Sequence, residues 1–156
     1  MRDADVGVND SSSNLIHRAM DFEFLDHPAD IGFRAHGSTP ERLFANCAHA
    51  LIAIILDPSE VHGTEQLVVT AEGSDRETLL VNWLNEVLYY VDTKLLAFDS
   101  FAVEFPSSEQ VKAVARFEMR EPIRHPVRLS VKAVTYHQLR VSSVGDEWVA
   151  EVYVDV

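Results

Sequence analysis

The spacing of apolar residues divides the chain into short alternating segments and two longer helical ones. Phe22 and Phe24 fall on one face of a short strand, and Phe33 with Ala35 repeats that alternation up to Gly37. The stretch from Pro28 to Asp30 between them reads as a turn. Thr39 then offers a helix cap and Pro40 suits the first helical position. Leu43, Phe44, Cys47, Ala48, Leu51, Ile54 and Ile55 keep helical spacing until Pro58 ends the run. Leu67, Val68 and Val69 centre a strand over Glu65–Glu72. Ser74 and Glu77 suit a capping box for the second helix, whose apolar stripe is Leu80, Trp83, Leu84, Val87, Leu88 and Val91.

From Phe98 onward the pattern has a period of two. Phe101, Val103 and Phe105 alternate, as do Val111, Ala113 and Ala115, then Val127, Leu129, Val131 and Ala133. Leu139 and Val141 begin another strand, and Gly145-Asp146 reads as a two-residue hairpin turn into the last one. In that strand Trp148, Ala150, Val152 and Val154 point to one side, and Val149, Glu151, Tyr153 and Asp155 to the other. The expected fold is α+β, a two-layer sandwich of two helices on a largely antiparallel or mixed sheet of about seven strands. The expected organisation is a disordered extension over residues 1–20 and a single domain over 21–156, because Asn9 to Asn14 is polar and poor in aromatic and β-branched residues.

Composition narrows the function classes. The 156 residues suffice for one domain with a core, and no stretch approaches the length of a membrane-spanning helix. Met1 to Met20 lacks the apolar region of a leader, and the lone Cys47 rules out a disulfide framework, so a cytoplasmic protein is expected. The net charge of −12 disfavours autonomous binding of RNA or DNA, which draws its affinity from lysine and arginine. A cation or a protein partner suits that charge better.

Three places carry candidate chemistry. Asp26-His27-Pro28-Ala29-Asp30 is either an acidic site or a turn in which aspartates cap backbone N–H groups. Tyr136-His137 sits between two strands, where a histidine can act as a base or simply hold a turn. At the last strand's end, the Asp155 carboxylate stands beside the α-carboxylate of Val156. If the fold joins the first and third places, Asp30, Asp155 and Val156 form an oxygen-rich pocket for a hard divalent cation.

Four segments in order carry a family resemblance: His27-Pro28-Ala29-Asp30-Ile31-Gly32, the helix from Leu79 to Leu88 around Asn82-Trp83-Leu84-Asn85, Lys132 to His137, and Val154-Asp155-Val156. Together they resemble archease from about Asp21 to Val156. The resemblance implies a small acidic accessory protein with no catalysis of its own. Its partner would be an RtcB-type RNA ligase of tRNA splicing and RNA repair, with guanylylation of the ligase and its repeated turnover promoted. It also implies a divalent-metal site, most often calcium with magnesium or manganese as alternatives, held by Asp30, Asp155 and Val156. Asp26, His27, Tyr136 and His137 are candidate supporting or partner-activating residues. Three positions depart from the family pattern: Pro28 where Thr is common, Gln138 where Gly is usual, and Asp26 where Glu is frequent. Two rival readings stand beside this one, the first on the same carboxylates and the second on the family's general assisting behaviour. One is a metal-dependent hydrolase of nucleotides or phosphoesters with His27 or His137 as base; the other is a general chaperone or RNA-binding module.

Overall fold

The computed structural model describes residues 21–26 and 30–156, with the side chain of Asp26 outside that description. The expected extension over residues 1–20, with His27 and Pro28, therefore lies outside the described residues. Among the described residues, eight strands and two α-helices follow one another: β1 (Phe22–Asp26), β2 (Ile31–Gly37), α1 (Pro40–Ile55), β3 (Glu65–Glu72), α2 (Arg76–Asp92), β4 (Leu96–Ser107), β5 (Gln110–Met119), β6 (Ala133–Val134), β7 (Arg140–Val144) and β8 (Glu147–Asp155). A short 3₁₀ turn, Pro58–Glu60, follows α1.

The α+β class with helices packed on antiparallel strands holds, and the strands are shared between two sheets. One is ordered β1-β2-β8-β6 with β7 also on β8; the other is β3-β5-β4. Both helices touch strands of both sheets: α1 contacts β2, β8 and β4, and α2 contacts β3, β4, β6 and β7. That explains why α1 is apolar almost all round, with Leu43, Phe44, Ala48, Leu51, Ile52 and Ile55 fully or nearly fully buried. Cys47 is a core thiol whose ionisation burial suppresses.

Side chains of α2 tie these layers together. The Trp83 indole donates to the Phe44 carbonyl at 3.0 Å, linking the helices, and Asn82 Nδ2 donates to the Glu72 carbonyl at 2.7 Å. Asn85 accepts from the Val134 N–H at 2.9 Å and donates to the Val134 carbonyl at 3.2 Å. One amide side chain thus completes both backbone groups of a residue in the two-residue strand β6.

Two sequence expectations need correction. The cap of α2 is Asp75, not Ser74: its carboxylate accepts from the Thr78 N–H at 2.8 Å, and the helix begins one residue later than a Ser74–Glu77 box requires. Of the alternating run from Val127 to Ala133, Ala133 alone lies in a strand. Pro122 and Pro126 remove backbone donors nearby, and the Arg128 N–H goes to the Ile55 carbonyl at 2.7 Å instead of a ladder.

The arginines of this loop are structural. Arg128 donates to the Ala53 and Leu56 carbonyls at the end of α1, and Arg120 to the Val91 carbonyl at the end of α2. Neither helix has a basic residue in its own last turn, so the loop supplies the cations that suit a helix C-terminus. Arg124 grips Glu118 through two bonds of 2.7 and 2.9 Å. Glu118 also accepts from the His62 N–H at 2.7 Å and lies 3.2 Å from Nε2 of buried His125. His125 Nδ1 accepts from the Glu121 N–H, which leaves Nε2 to donate toward the Glu60 carbonyl and Glu118.

The bonds from Arg124 hold the Glu118 carboxyl at about 2, well below its ordinary value, against a burial that acts in the opposite direction. Because the folded value is depressed, the stabilisation is complete above about pH 4.5, the unfolded value, and is lost as pH falls toward about 2. Glu118→Gln is expected to cost about 1–3 kcal/mol at pH 7, the usual cost of leaving buried partners unsatisfied. Urea unfolding should show that gap narrowing at pH 3. An equal loss at both pH values would mean that the charge of Glu118 contributes nothing.

Candidate functional site

The register of β2 on β8 determines which residues meet. Ile31 pairs with Val154 and Gly32 with Tyr153. Asp30 therefore precedes the last pair on one strand, and Asp155 follows it on the other. Strand alternation gives both aspartates the face that carries Gly32 and Tyr153, away from the core face of Phe33, Val152 and Val154. On the far side of β8, Ala133 pairs with Asp155, and the Lys132 N–H donates to the Asp155 carbonyl at 2.8 Å. On the far side of β2, Asp26 pairs with Ile31. Four strand ends thus converge, and three of them bear aspartates.

Gly32 is needed here for space. A Cβ at this position would lie 2.6 Å from the Tyr153 ring and 2.6 Å from the Val152 carbonyl oxygen. With no side chain on Gly32, the Tyr153 ring lies across the strand and is buried despite facing away from the core. The sequence pattern assigned Tyr153 to the outward face but not to this role. His137 packs edge-on against Tyr153 with ring centroids 5.9 Å apart, and its Nε2 lies 3.6 Å from an Asp30 carboxylate oxygen. Tyr136, beside it, is exposed.

The His137 loop is tied down by its neighbours. Thr135 donates through both its N–H and its hydroxyl to the Tyr153 carbonyl, each at 3.1 Å, and its hydroxyl accepts from the His137 N–H at 3.2 Å. The Leu139 N–H then closes a turn on the Tyr136 carbonyl at 3.2 Å, with Gln138 at the second central position and φ of 52°. A positive φ there marks a type II turn, which favours glycine. Gln138 thus adopts a glycine-like conformation at the position where the resemblance leads one to expect glycine.

The archease protein family profile matches residues 22–156. The chain belongs to the archease family. It is similar to the archease of Methanosarcina acetivorans, at 40% identity over 139 residues covering 86% of this chain and 95% of that one. It is also similar to that of Methanopyrus kandleri, at 39% identity over 140 residues covering 88% and 100%. Among solved structures, the solution structure of Methanobacterium thermoautotrophicum protein 1598 aligns with a TM-score of 0.68 at 31% identity, covering 88% of this chain and 99% of that one. A Thermotoga maritima crystal structure, described as an archease and possible chaperone, aligns with a TM-score of 0.57 at 21% identity over 85% of this chain and 94% of that one. That last likeness is one of fold. Within this archease fold, the four segments of the sequence resemblance have distinct places. Three converge on the strand ends, and the fourth, through Asn85, holds β6 beside them.

The site's donors are oxygens, which suit a hard cation. Among the described residues no three His, Cys, Asp or Glu side chains are gathered as a metal-holding group. Asp30 and Asp155 would thus need a further oxygen from the Asp26 side chain, outside the description, or from Val156. Val156 is half exposed and Asp155 is exposed.

Two substitutions with opposite expected signs test the packing around Asp30. Gly32→Ala should destabilise by about 1–3 kcal/mol through overpacking against Tyr153 and should separate His137 from Asp30. Gln138→Gly should be neutral or stabilising by up to about 1 kcal/mol, since the left-handed strain is relieved while the unfolded chain gains freedom. Thermal melts and the His137 imidazole resonances would check both. An unperturbed His137 signal in Gly32→Ala would show that the stack does not position this ring.

Proposed function

We propose that this chain is an accessory protein of an RtcB-type RNA ligase, acting through a divalent cation held at the joined strand ends. The observation that carries the reading is the β2–β8 register, which brings Asp30 and Asp155 to the same end and face of neighbouring strands. Calcium, with its tolerance of irregular oxygen shells, suits two carboxylates so placed best; magnesium or manganese are alternatives. Asp30, Asp155 and the Val156 carboxylate would hold it, and Asp26, His27, Tyr136 and His137 would border it. The ion would supply positive charge at the contact with the ligase. The chain's own part is to present that charge at a rigid edge and to leave RNA to the ligase, as its net charge of −12 favours.

A second reading, a metal-dependent phosphoester hydrolase, draws on the approach of His137 to Asp30, because a histidine beside a cation could activate water. Turnover of nucleotides or phosphodiesters by the purified protein alone would favour it over the accessory role.

Asp30→Ala and Asp155→Ala are each expected to weaken calcium binding about tenfold or more in calorimetry. They should also abolish stimulation of a cognate ligase's guanylylation, with little change in melting temperature. A residue appended after Val156 converts its carboxylate to an amide and should reduce both activities in part. If both aspartate variants stimulate as well as the native protein, the acidic site is not the means of activation.

A further inference from the structure

Away from the acidic strand ends, the surface around the 120–132 loop leaves several apolar side chains exposed among basic residues. Ile123 is 96% exposed, and Met119, Val127 and Leu95 are 53%, 47% and 46% exposed. Leu95, Pro122, Pro126 and Val127 share the lining of a groove of about 320 Å³. Single exposed aliphatics are ordinary, but here Leu95 and Val127 line one groove, Ile123 follows its Pro122, and Met119 pairs with Leu96 beside Leu95. Leu95 also has a left-handed backbone, with φ of 59°. That conformation is unfavourable for a leucine and does not bury its side chain.

The loop bearing Ile123 and Val127 is firmly held. The Arg124–Glu118 pair and the His125 bonds to Glu121 and Glu60 fix it from beneath, and the His125 N–H closes on the Glu121 carbonyl at 2.6 Å. A preorganised apolar edge loses little entropy on binding, which is the economy of a docking surface. Its charge indicates the occupant. Four arginines stand against two glutamates between Arg116 and Arg128, in a chain whose net charge is −12. Arg120 spends its side-chain hydrogen bond on a neutral carbonyl, and exposed Lys94 adjoins Leu95.

We propose that the Leu95–Met119–Ile123–Val127 ridge docks a segment of the partner protein whose apolar side chains are flanked by carboxylates. The proposal rests on the accessory-protein reading and extends it, giving the partner a second contact. The same loop continues to Lys132, which bonds Asp155, so one connection joins the ridge to the acidic edge.

Binding of the purified cognate ligase to the full chain, measured by interferometry, tests it. Ile123→Asp and Lys94→Glu should weaken binding by about tenfold or more, and Ile123→Lys should weaken it less than Ile123→Asp. Raising salt should lower the native affinity. Leu95→Gly separates docking from folding, because it relieves the left-handed strain and raises the melting temperature while weakening binding. Native affinity in both Ile123→Asp and Leu95→Gly overturns the ridge and leaves the acidic-site reading standing. Loss of binding to RNA or to phosphatidylserine vesicles in these variants, with ligase binding unchanged, overturns it also. A native chain that does not bind the ligase at all overturns both.

Discussion

The paired hydrogen bonds between the Asn85 amide and the backbone of Val134 are the constraint on which the site depends. Two ladder residues cannot hold a strand against the entropy of a thirteen-residue loop on one side and a turn on the other. Asn85 projects from a helix fixed by Trp83 to α1 and by Asn82 to β3, so it behaves as part of the rigid core. Once Val134 is held, Ala133 meets Asp155, Thr135 meets Tyr153, and the turn that carries His137 has a fixed origin. The acidic edge is built outward from the helix layer, and its geometry follows from an amide bonded to the residue next to Ala133, the partner of Asp155.

The fold class was legible because its signals are local. Helical and alternating periodicities required no knowledge of partners, and the Gly145-Asp146 turn joins β7 to β8 with Gly145 at φ of 63° as expected. The division into two sheets was not legible, since period two places a residue on a face without saying which sheet the face belongs to. The loop from Arg120 to Lys132 illustrates the limit more sharply. Val127, Leu129, Val131 and Ala133 alternate, yet Leu129 and Val131 pack as irregular chain while the Arg128 main chain serves α1. A helix end that lacks its own cation creates a demand that only the assembled structure reveals.

The site was legible in part for a related reason. Alternation placed Asp155 off the core face, and the register then brings Asp30 to the same end and face. Tyr153 shares that face, and alternation alone cannot tell a buried outward ring from a solvated one. Its burial depends on Gly32, a residue whose contribution is the side chain it lacks. Gln138 carried a signal as a departure from the family pattern, but the consequence, a left-handed residue at the centre of the His137 turn, required coordinates.

Strain in the described residues is concentrated rather than spread. Three non-glycine residues have positive φ: Asp21, Leu95 and Gln138. Leu95 lies on the apolar ridge and Gln138 in the turn beside Asp30. Each left-handed residue costs on the order of 1–2 kcal/mol, a noticeable share of the stability of a domain this size. Such strain persists where surrounding bonds over-determine the backbone. For Gln138 these are the Thr135–Tyr153 bonds and the Leu139–Tyr136 turn; for Leu95, the Arg120 N–H on its carbonyl at 2.8 Å. The two strained positions flank the two surfaces joined by the 120–132 loop. A chain whose net charge is −12 repels a polyanion as a whole, although basic residues gather locally beside the ridge. What it presents instead is an acidic edge and an apolar ridge, each fixed by bonds from beneath.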